Sequence, residues 1–328
     1  MKIALVLNTR HDNTEFQVEY DPPHTIDMIK SGIEEAGHEY VFIEADENAY
    51  DNFRKLKPDL VFNRSEGSGV GSREAHIPAL LEILRIPFIG SNVLTLAVCL
   101  NKAWTKKMVA FHGVTTPEFY VADSMQDCVD IPFPAILKPN AQGSSIGINE
   151  DNLVQNSAEL KSKLAQLFDQ YREAILVEQF VTGREISVGV LGNAQGILEA
   201  LPPLEVDFSK LPEEVAGVFG QRAKVTYDDL DNYICPADLS PTLQKKVIDT
   251  ALKVCKVLEI QDFARMDFRI DAQERVYFLE INPLPGMDFD LSDNDFSFYP
   301  LMAQRAGLSY SELIKKLVES ACARYSLC

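Results

Sequence analysis

The stretch Ala264-Arg265-Met266-Asp267-Phe268, followed by Phe278-Leu279-Glu280-Ile281-Asn282-Pro283-Leu284-Pro285-Gly286-Met287, decides how this chain is read. From Phe263 to Ile270 apolar and polar side chains alternate, the period of a half-buried strand. Asp271 to Arg275 is a polar turn, and Val276 to Ile281 alternates again, so the two segments predict a β-hairpin. In one register Arg265, Asp267 and Glu280 line one rim, with Asn282 two residues beyond Glu280 on the same side. Two carboxylates and an amide oxygen converging in this way suit a hard cation such as magnesium, which keeps phosphate oxygens as further partners. An arginine in the same row suits a phosphate. Without a ligand, the same row reads as an exposed hairpin edge with ordinary charges.

Around the hairpin, 328 residues provide for two or three compact domains. A hydrophobic fraction of 46% and a charged fraction of 24% are those of a soluble globular protein. No apolar run approaches a membrane span. Met1 to Leu7 leads directly into a strand-like run without a cleavage-site pattern, so a cytoplasmic location is expected. Cys99, Cys128, Cys235, Cys255, Cys322 and Cys328 lie far apart with no C-x-x-C pair. They read as free, mostly buried thiols and not as a disulfide frame or zinc site. The net charge of −18 argues against nucleic acid and anionic membrane as partners. It leaves ATP open, because a local group of lysines binds phosphate on an acidic protein.

Upstream, strand-like runs at Lys2 to Leu7, Tyr40 to Ile43, Leu60 to Phe62 and Pro87 to Ile89 alternate with helical spacings at His24 to Ala36, Asp51 to Leu56 and Arg73 to Leu84. Alternation of this kind predicts a parallel, doubly wound sheet, whose ligands sit at the carboxyl ends of its strands. That singles out the loops Asn8 to Asp21 and Asn63 to Arg73. Lys102 to Phe111 reads as a helix closed by Gly113, and Lys138 ends the strand Pro134 to Pro139. The turn Asn140-Ala141-Gln142-Gly143-Ser144-Ser145-Ile146-Gly147 is small and hydroxyl-rich, suited to bringing N–H groups close to phosphate oxygens. Leu153 to Phe168 reads as an amphipathic helix, and Ile175 to Phe180 and Ile186 to Leu191 as strands. Pro202 to Tyr233 shows little periodicity and predicts a mobile loop or lid holding Lys224. Leu243 to Leu258 and Leu308 to Tyr325 complete the helices, with Ser309 placed as an N-cap.

Four features thus occur in one order: Lys102; Lys138 with Gly143-Ser144-Ser145; Glu178 and Glu185; then Arg265, Asp267, Glu280 and Asn282. The chain resembles the ATP-grasp ligases, and within them the D-alanine–D-alanine ligases. The resemblance covers nearly the whole chain and is strongest from Leu80 to Asn92 and from Lys138 onward. It implies an ATP-grasp fold: an α/β protein with an amino-terminal doubly wound domain (1–98), a small central α/β domain (99–184) and a carboxy-terminal α/β domain (185–328). It implies that Lys102 and Lys138 hold ATP phosphates, that Gln142 to Gly147 closes over them, and that Glu178, Gln179, Phe180 and Val181 meet the adenine. By the same resemblance Glu185 binds ribose and Lys224 approaches the phosphates. Asp267, Glu280 and Asn282 match the metal ligands, for magnesium with manganese as an alternative. Arg265, with Ser144 and Lys224, matches the catalytic set. The implied chemistry is activation of a carboxylate by ATP to an acyl phosphate, with release of ADP, followed by attack of an amine and release of phosphate. A homodimer is a further implication.

Three departures bear on the substrates, which the resemblance makes small and amino-acid-like. The family's loop after the first strand is rich in serine and glutamate, and its glutamate holds an amine; Asn8-Thr9-Arg10-His11-Asp12-Asn13-Thr14-Glu15 does not match it. The tyrosine after the mobile-loop lysine is Val225 here. Where the family has serines for a carboxylate after the Pro-Gly-Met turn, Asp288, Asp290, Asp293 and Asp295 follow. Such a cluster suits an amine or guanidinium, or is a solvated face. Arg64 and Arg73 then become the candidates for a substrate carboxylate, with Glu66, Gly286 and Asp288 beside them. The sequence therefore predicts an ATP-dependent carboxylate–amine ligase with substrates other than two D-alanines. D-alanine–D-alanine ligase itself and a non-catalytic nucleotide-binding regulatory protein are the alternatives.

Overall fold

Residues Ile3 to Leu7 are completely buried, as expected of an apolar run at the centre of a parallel sheet. The computed structural model describes residues 1–328 except 13, 70, 125, 126, 128, 129, 194, 195, 216, 293 and 328, and only the backbone of 16 and 225. Two of the predicted thiols, Cys128 and Cys328, therefore lie outside the described residues, as does Asp293.

The run forms β1 (Lys2–Leu7). It is followed by α1 (Pro23–Glu35), β2 (Glu39–Glu44), α2 (Ala49–Leu56), β3 (Leu60–Arg64), α3 (His76–Leu84) and β4 (Phe88–Ile89). Pro23 opens α1, where its missing N–H costs nothing. The strands pair in parallel in the order β2-β1-β3-β4, the predicted doubly wound sheet. α4 (Val93–Leu100) and α5 (Lys102–Phe111) come next, divided by Asn101, whose side chain caps α5 at Trp104 N.

A second sheet is antiparallel: β5 (Phe119–Ala122), β6 (Ala135–Pro139), β7 (Leu153–Val154) and β8 (Ile175–Gln179), in the order β5-β8-β6-β7. The helix expected from Leu153 starts later, as α6 (Ser157–Tyr171). Leu153 and Val154 pair with β6 instead, and the Asn156 side chain accepts from the N–H groups of Ala158 and Glu159, which fixes the helix start.

The third sheet holds β9 (Arg184–Gly192), β10 (Leu198–Ala200), β11 (Leu204–Val206), β12 (Tyr233–Ile234), β13 (Phe263–Ile270) and β14 (Val276–Asn282). α7 (Gln221–Thr226) lies between β11 and β12, and α8 (Pro241–Val257) packs Val247, Ala251 and Val254 on the sheet. The short β15 (Phe289–Asp290) and β16 (Asp295–Phe296) pair with each other before α9 (Phe298–Arg305) and α10 (Tyr310–Tyr325). Ser309 caps α10 in a full capping box with Glu312, as predicted.

The segment Pro202 to Tyr233 differs from the expected loop. It contributes Leu204, Val206, Leu211, Val215, Phe219 and Ala223 to the main core. Its pieces are too short for any to show a period, which is why the sequence reads as irregular.

The first and third sheets share that core. α10 lies against α1, where Gly32 backs directly onto Ile314: a Cβ there would fall 2.7 Å from Ile314 Cγ1. Ser311 Oγ donates to Glu35, 276 residues away in the chain. Fully buried Asp262 accepts from Gly90 N (2.8 Å), Ser320 Oγ (2.9 Å) and Arg324 Nη2 (2.6 Å), tying β13, β4 and α10 together.

Candidate active site

The β13–β14 hairpin has the predicted register. Arg265 sits opposite Asn282 and Asp267 opposite Glu280, with the ladder shifting just after Asp267. All four side chains therefore come to one rim. Arg265 holds both oxygens of Asp267, at 3.1 and 3.0 Å. On the other side β9 places Ser187 opposite Asp267, and its hydroxyl donates to Oδ1 at 2.6 Å.

Positive charge converges on Glu280. Lys102, at the start of α5, comes within 3.7 Å of its carboxylate and also donates to the Gln142 carbonyl. Burial alone would raise the Glu280 carboxyl, but Lys102, Lys138, Lys224 and Arg265 outweigh it and hold it down at about 2. Lys138, at the end of β6, bonds Glu178 at 2.9 Å. The other oxygen of Glu178 faces Lys106, a fully buried residue of α5 that the sequence reading passed over. Burial works against the charge on Glu178, yet the two lysines keep its carboxyl below the usual range. The Lys224 ammonium is pushed down by burial and by Arg265, and lies 5.2 Å from the Phe219 ring centre.

Lys138, Glu178, Lys224, Arg265, Asp267 and Glu280 line a cleft of about 680 Å³ between the second and third sheets, together with Ser145, Phe180, Val181, Glu185 and Arg269. Gln179 is not among its lining residues. Glu185 is paired with Arg269 at 2.6 Å. The loop beside the cleft carries Ser144 and Ser145 at φ 45° and 60°, and Gly147 at φ 70°. A Cβ on Gly147 would lie 2.6 Å from Pro139 and 2.7 Å from Tyr171, so only glycine fits there. Gly143 and Ser144 line a recess that also holds Lys102, Glu280 and Asn282.

A second cleft, of about 950 Å³, opens from the first and shares Phe219, Lys224, Arg265 and Phe298 with it. Arg10, Glu19, Asp21, Arg64, Glu66, Asp228, Gly286 and Asp288 line the remainder. Arg64 is 1% exposed; its fork holds Asp21 (2.9 and 3.3 Å) and its third nitrogen donates to the Pro285 carbonyl. Arg73 binds Glu19 at 2.6 Å and lies 3.6 Å from Glu66. Burial, then repulsion from Glu19 and Glu74, raises the Glu66 carboxyl well above the usual range. Asp288 accepts from Thr25 Oγ1 and from Ser297 Oγ (3.1 Å), with His24 at 3.9 Å. A Cβ on Gly286 would come within 2.2 Å of Ser297 Oγ, so this turn must be glycine for Asp288 and Ser297 to meet.

Residues 103–319 match the family described as D-ala D-ala ligase C-terminus. The chain belongs to that family. The D-alanine–D-alanine ligase of Aquifex aeolicus is 30% identical over 97% of this chain and 100% of its own length. That of Desulforamulus reducens is 35% identical over 77% of this chain and 78% of its own. The solved structure of a D-alanine–D-alanine ligase from Bacillus anthracis complexed with ATP superposes with a TM-score of 0.76. It covers 100% of this chain and 99% of that one at 23% identity, a likeness of fold. The protein is accordingly an ATP-grasp, ADP-forming carboxylate–amine ligase of D-alanine–D-alanine ligase type.

Within this family frame, two expectations about the substrate cleft change. Arg64 and Arg73 spend their forks on Asp21 and Glu19, so neither offers a free guanidinium to a substrate carboxylate in this arrangement. The loop after β1 does supply glutamates, although not at the positions read from the family pattern. Glu19 reaches the second cleft and the recess beside Gly143. Glu15 accepts from Gly147 N (3.2 Å) and Tyr171 Oη (2.7 Å). Neither was legible, because their partners lie far along the chain. The Val225 side chain lies outside the described residues. Cys99, Cys235 and Cys255 are free thiols, as expected.

Proposed function

We propose that the protein uses ATP to join two small amino-acid-like molecules by an amide bond, with the hairpin rim as its phosphoryl-transfer site. The observation that carries this is the convergence of Lys102, Lys138, Lys224 and Arg265 on Glu280. A surplus of fixed positive charge beside carboxylates is what a polyphosphate with its metal needs. In this reading Glu178, Phe180, Val181 and Glu185 line the nucleotide's base and ribose end, and Ser144 and Ser145 turn toward its phosphates. Asp267, Glu280 and Asn282 present only oxygen donors, which fits magnesium, or manganese in its place. Bound there, the ion would neutralise phosphate charge.

The carboxylate of one substrate takes the terminal phosphoryl group of ATP, giving an acyl phosphate and ADP. The amine of the other attacks the acyl carbon, and phosphate leaves. Arg265, fixed by Asp267, is placed to stabilise the oxyanion of that addition. The clefts share Lys224 and Arg265, which supports a reading in which the reacting carboxylate and the phosphate meet at one mouth. The same reading divides the chain at 1–98, 99–184 and 185–328, and takes the protein as a cytoplasmic homodimer without nucleic acid or membrane partners. Among the described residues no helix is long and apolar enough to cross a membrane.

A second reading is D-alanine–D-alanine ligation itself. Glu19 favours it, since this glutamate of the first loop reaches the second cleft after all. ADP release measured against D-alanine alone and against pairwise mixtures of amino acids separates the two. Saturable ADP and dipeptide formation from D-alanine alone establishes the second reading. Release only with mixed pairs establishes the first, and release with none removes both.

A further inference from the structure

Most charges in the second cleft already have a charged partner: Arg64 is on Asp21, Arg265 on Asp267, and Glu19 and Glu66 face Arg73. Arg10, Lys224, Asp228 and Asp288 have no carboxylate, lysine or arginine partner within 4.0 Å among the described residues, although Lys224 acts on Asp228 from further off. The Arg10 guanidinium is anchored by its own loop, donating from Nε to the Gln17 carbonyl (3.2 Å) and from Nη2 to the Val18 carbonyl (2.7 Å). Among the described residues no carboxylate oxygen lies within 4.0 Å of it. It is thus held in place with no carboxylate in bonding range, Asp21 and Asp295 acting on it only from further off, and an arginine so fixed is disposed to bind a carboxylate from outside.

The two aspartates are the converse. Asp228 accepts from the Tyr233 hydroxyl, and Asp288 from Thr25 and Ser297. Among the described residues no lysine or arginine nitrogen lies within 4.0 Å of either; His24 lies 3.9 Å from Asp288, and Lys224 acts on Asp228 from beyond that range. An aromatic wall stands beside them. Tyr233 meets Phe219, Phe296 and Phe298 edge to face, with centroids 6.0, 5.7 and 4.8 Å apart. All four rings line the cleft. Carboxylates beside aromatic faces attract a cation and the aliphatic stem that carries it. A cleft of about 950 Å³ has space for that stem.

We propose, building on the ligase reading above, that the second cleft takes a basic amino acid. Its carboxylate lies on Arg10, and its side-chain cation lies at Asp288 and Asp228 against the aromatic wall. The ligand supplies a carboxylate in bonding range of Arg10 and an ammonium in bonding range of Asp288, contacts that no described carboxylate, lysine or arginine makes.

The test is calorimetric titration of the protein, saturated with a non-hydrolysable ATP analogue, with lysine and with norleucine in both enantiomers. The two differ only in the side-chain ammonium. Lysine should bind about tenfold tighter or better, the scale of one charge-assisted hydrogen bond. Arg10→Ala should weaken both ligands by about tenfold, because both carry the carboxylate, and Arg10→Lys should recover part of the loss. Asp288→Asn should bring lysine down to norleucine and leave norleucine unchanged, with Asp228→Asn as the alternative if that variant does not fold. Norleucine binding as well as lysine, no binding of either, or no effect of Arg10→Ala on either overturns the proposal. ADP release from neutral pairs alone would remove the basic-substrate pocket and keep the ligase. Lysine-selective binding without ADP release from any pair would keep the pocket and remove the ligase reading.

Discussion

Replacing Glu280 by glutamine keeps the shape of the side chain and deletes the charge on which the site's cations converge. Holding that carboxyl at about 2, against an ordinary value near 4.5, corresponds to roughly 3 kcal/mol in favour of its charged form. The side chain is 29% exposed, so solvent screening reduces the usable part to about 2 kcal/mol. Glu280→Gln should therefore lower unfolding free energy by about 2 kcal/mol at pH 7 without ligands, read from urea unfolding curves. The folded-state value is depressed, so this stabilisation is fully present above the unfolded value of about 4.5. It is lost as pH falls toward about 2. The gap between wild type and variant should hold from pH 7 to pH 5 and narrow at pH 3. Turnover at saturating magnesium should fall by roughly a hundredfold, the scale for losing one preorganised electrostatic group. Equal urea midpoints at pH 7 would show that the cations do not act on Glu280. Near-normal turnover would remove it from the reaction.

Lys106→Met should destabilise the protein by about 3 kcal/mol, because it strips one of two cations from the buried Glu178; an unchanged melting temperature would refute that pairing. Burial raises the Glu74 carboxyl to about 8, with Arg73 opposing. Stability from keeping it neutral is therefore complete below its unfolded value and lost as pH rises through about 8. Glu74→Gln should flatten the fall in stability between about pH 5 and pH 8, and an unaltered pH profile would count against this assignment. Residues 202–233 should exchange amide hydrogens more slowly, and resist protease better, when an ATP analogue and amino acids are bound, since closure excludes water from the acyl phosphate. Identical exchange with and without ligands would mean that the segment is not a lid.

The hairpin was legible because two alternating strands joined by a short turn leave little choice of register. Once Asp267 faces Glu280, Arg265 must face Asn282. The parallel sheet was legible for a similar reason, since each helix between its strands has its own stop signal. Partnerships across the chain were not. Arg64 and Arg73 look like free forks on a glycine-rich loop, but Asp21 and Glu19, 43 and 54 residues earlier, fold back onto them. Lys106 looks like one lysine among several on α5, and only the packing of that helix buries it against Glu178. Leu153 and Val154 fit a helix stripe and an edge strand equally well, and the neighbouring β6 decided between them.

The contact of α1 with α10 has a consequence for how the chain is made. Gly32 and Glu35 wait for Ile314 and Ser311, which are synthesised last among the elements described. Until they emerge, Ile29 and Ile33 have no cover from α10. The face of α1 that meets α10 therefore spends most of translation without that cover, and a holding chaperone or early self-association would act there. A chain released before Tyr310 would keep its complete hairpin rim and, on α5, Lys102 and Lys106. It would lack the helix that closes its first sheet, and its defect would show as aggregation during synthesis.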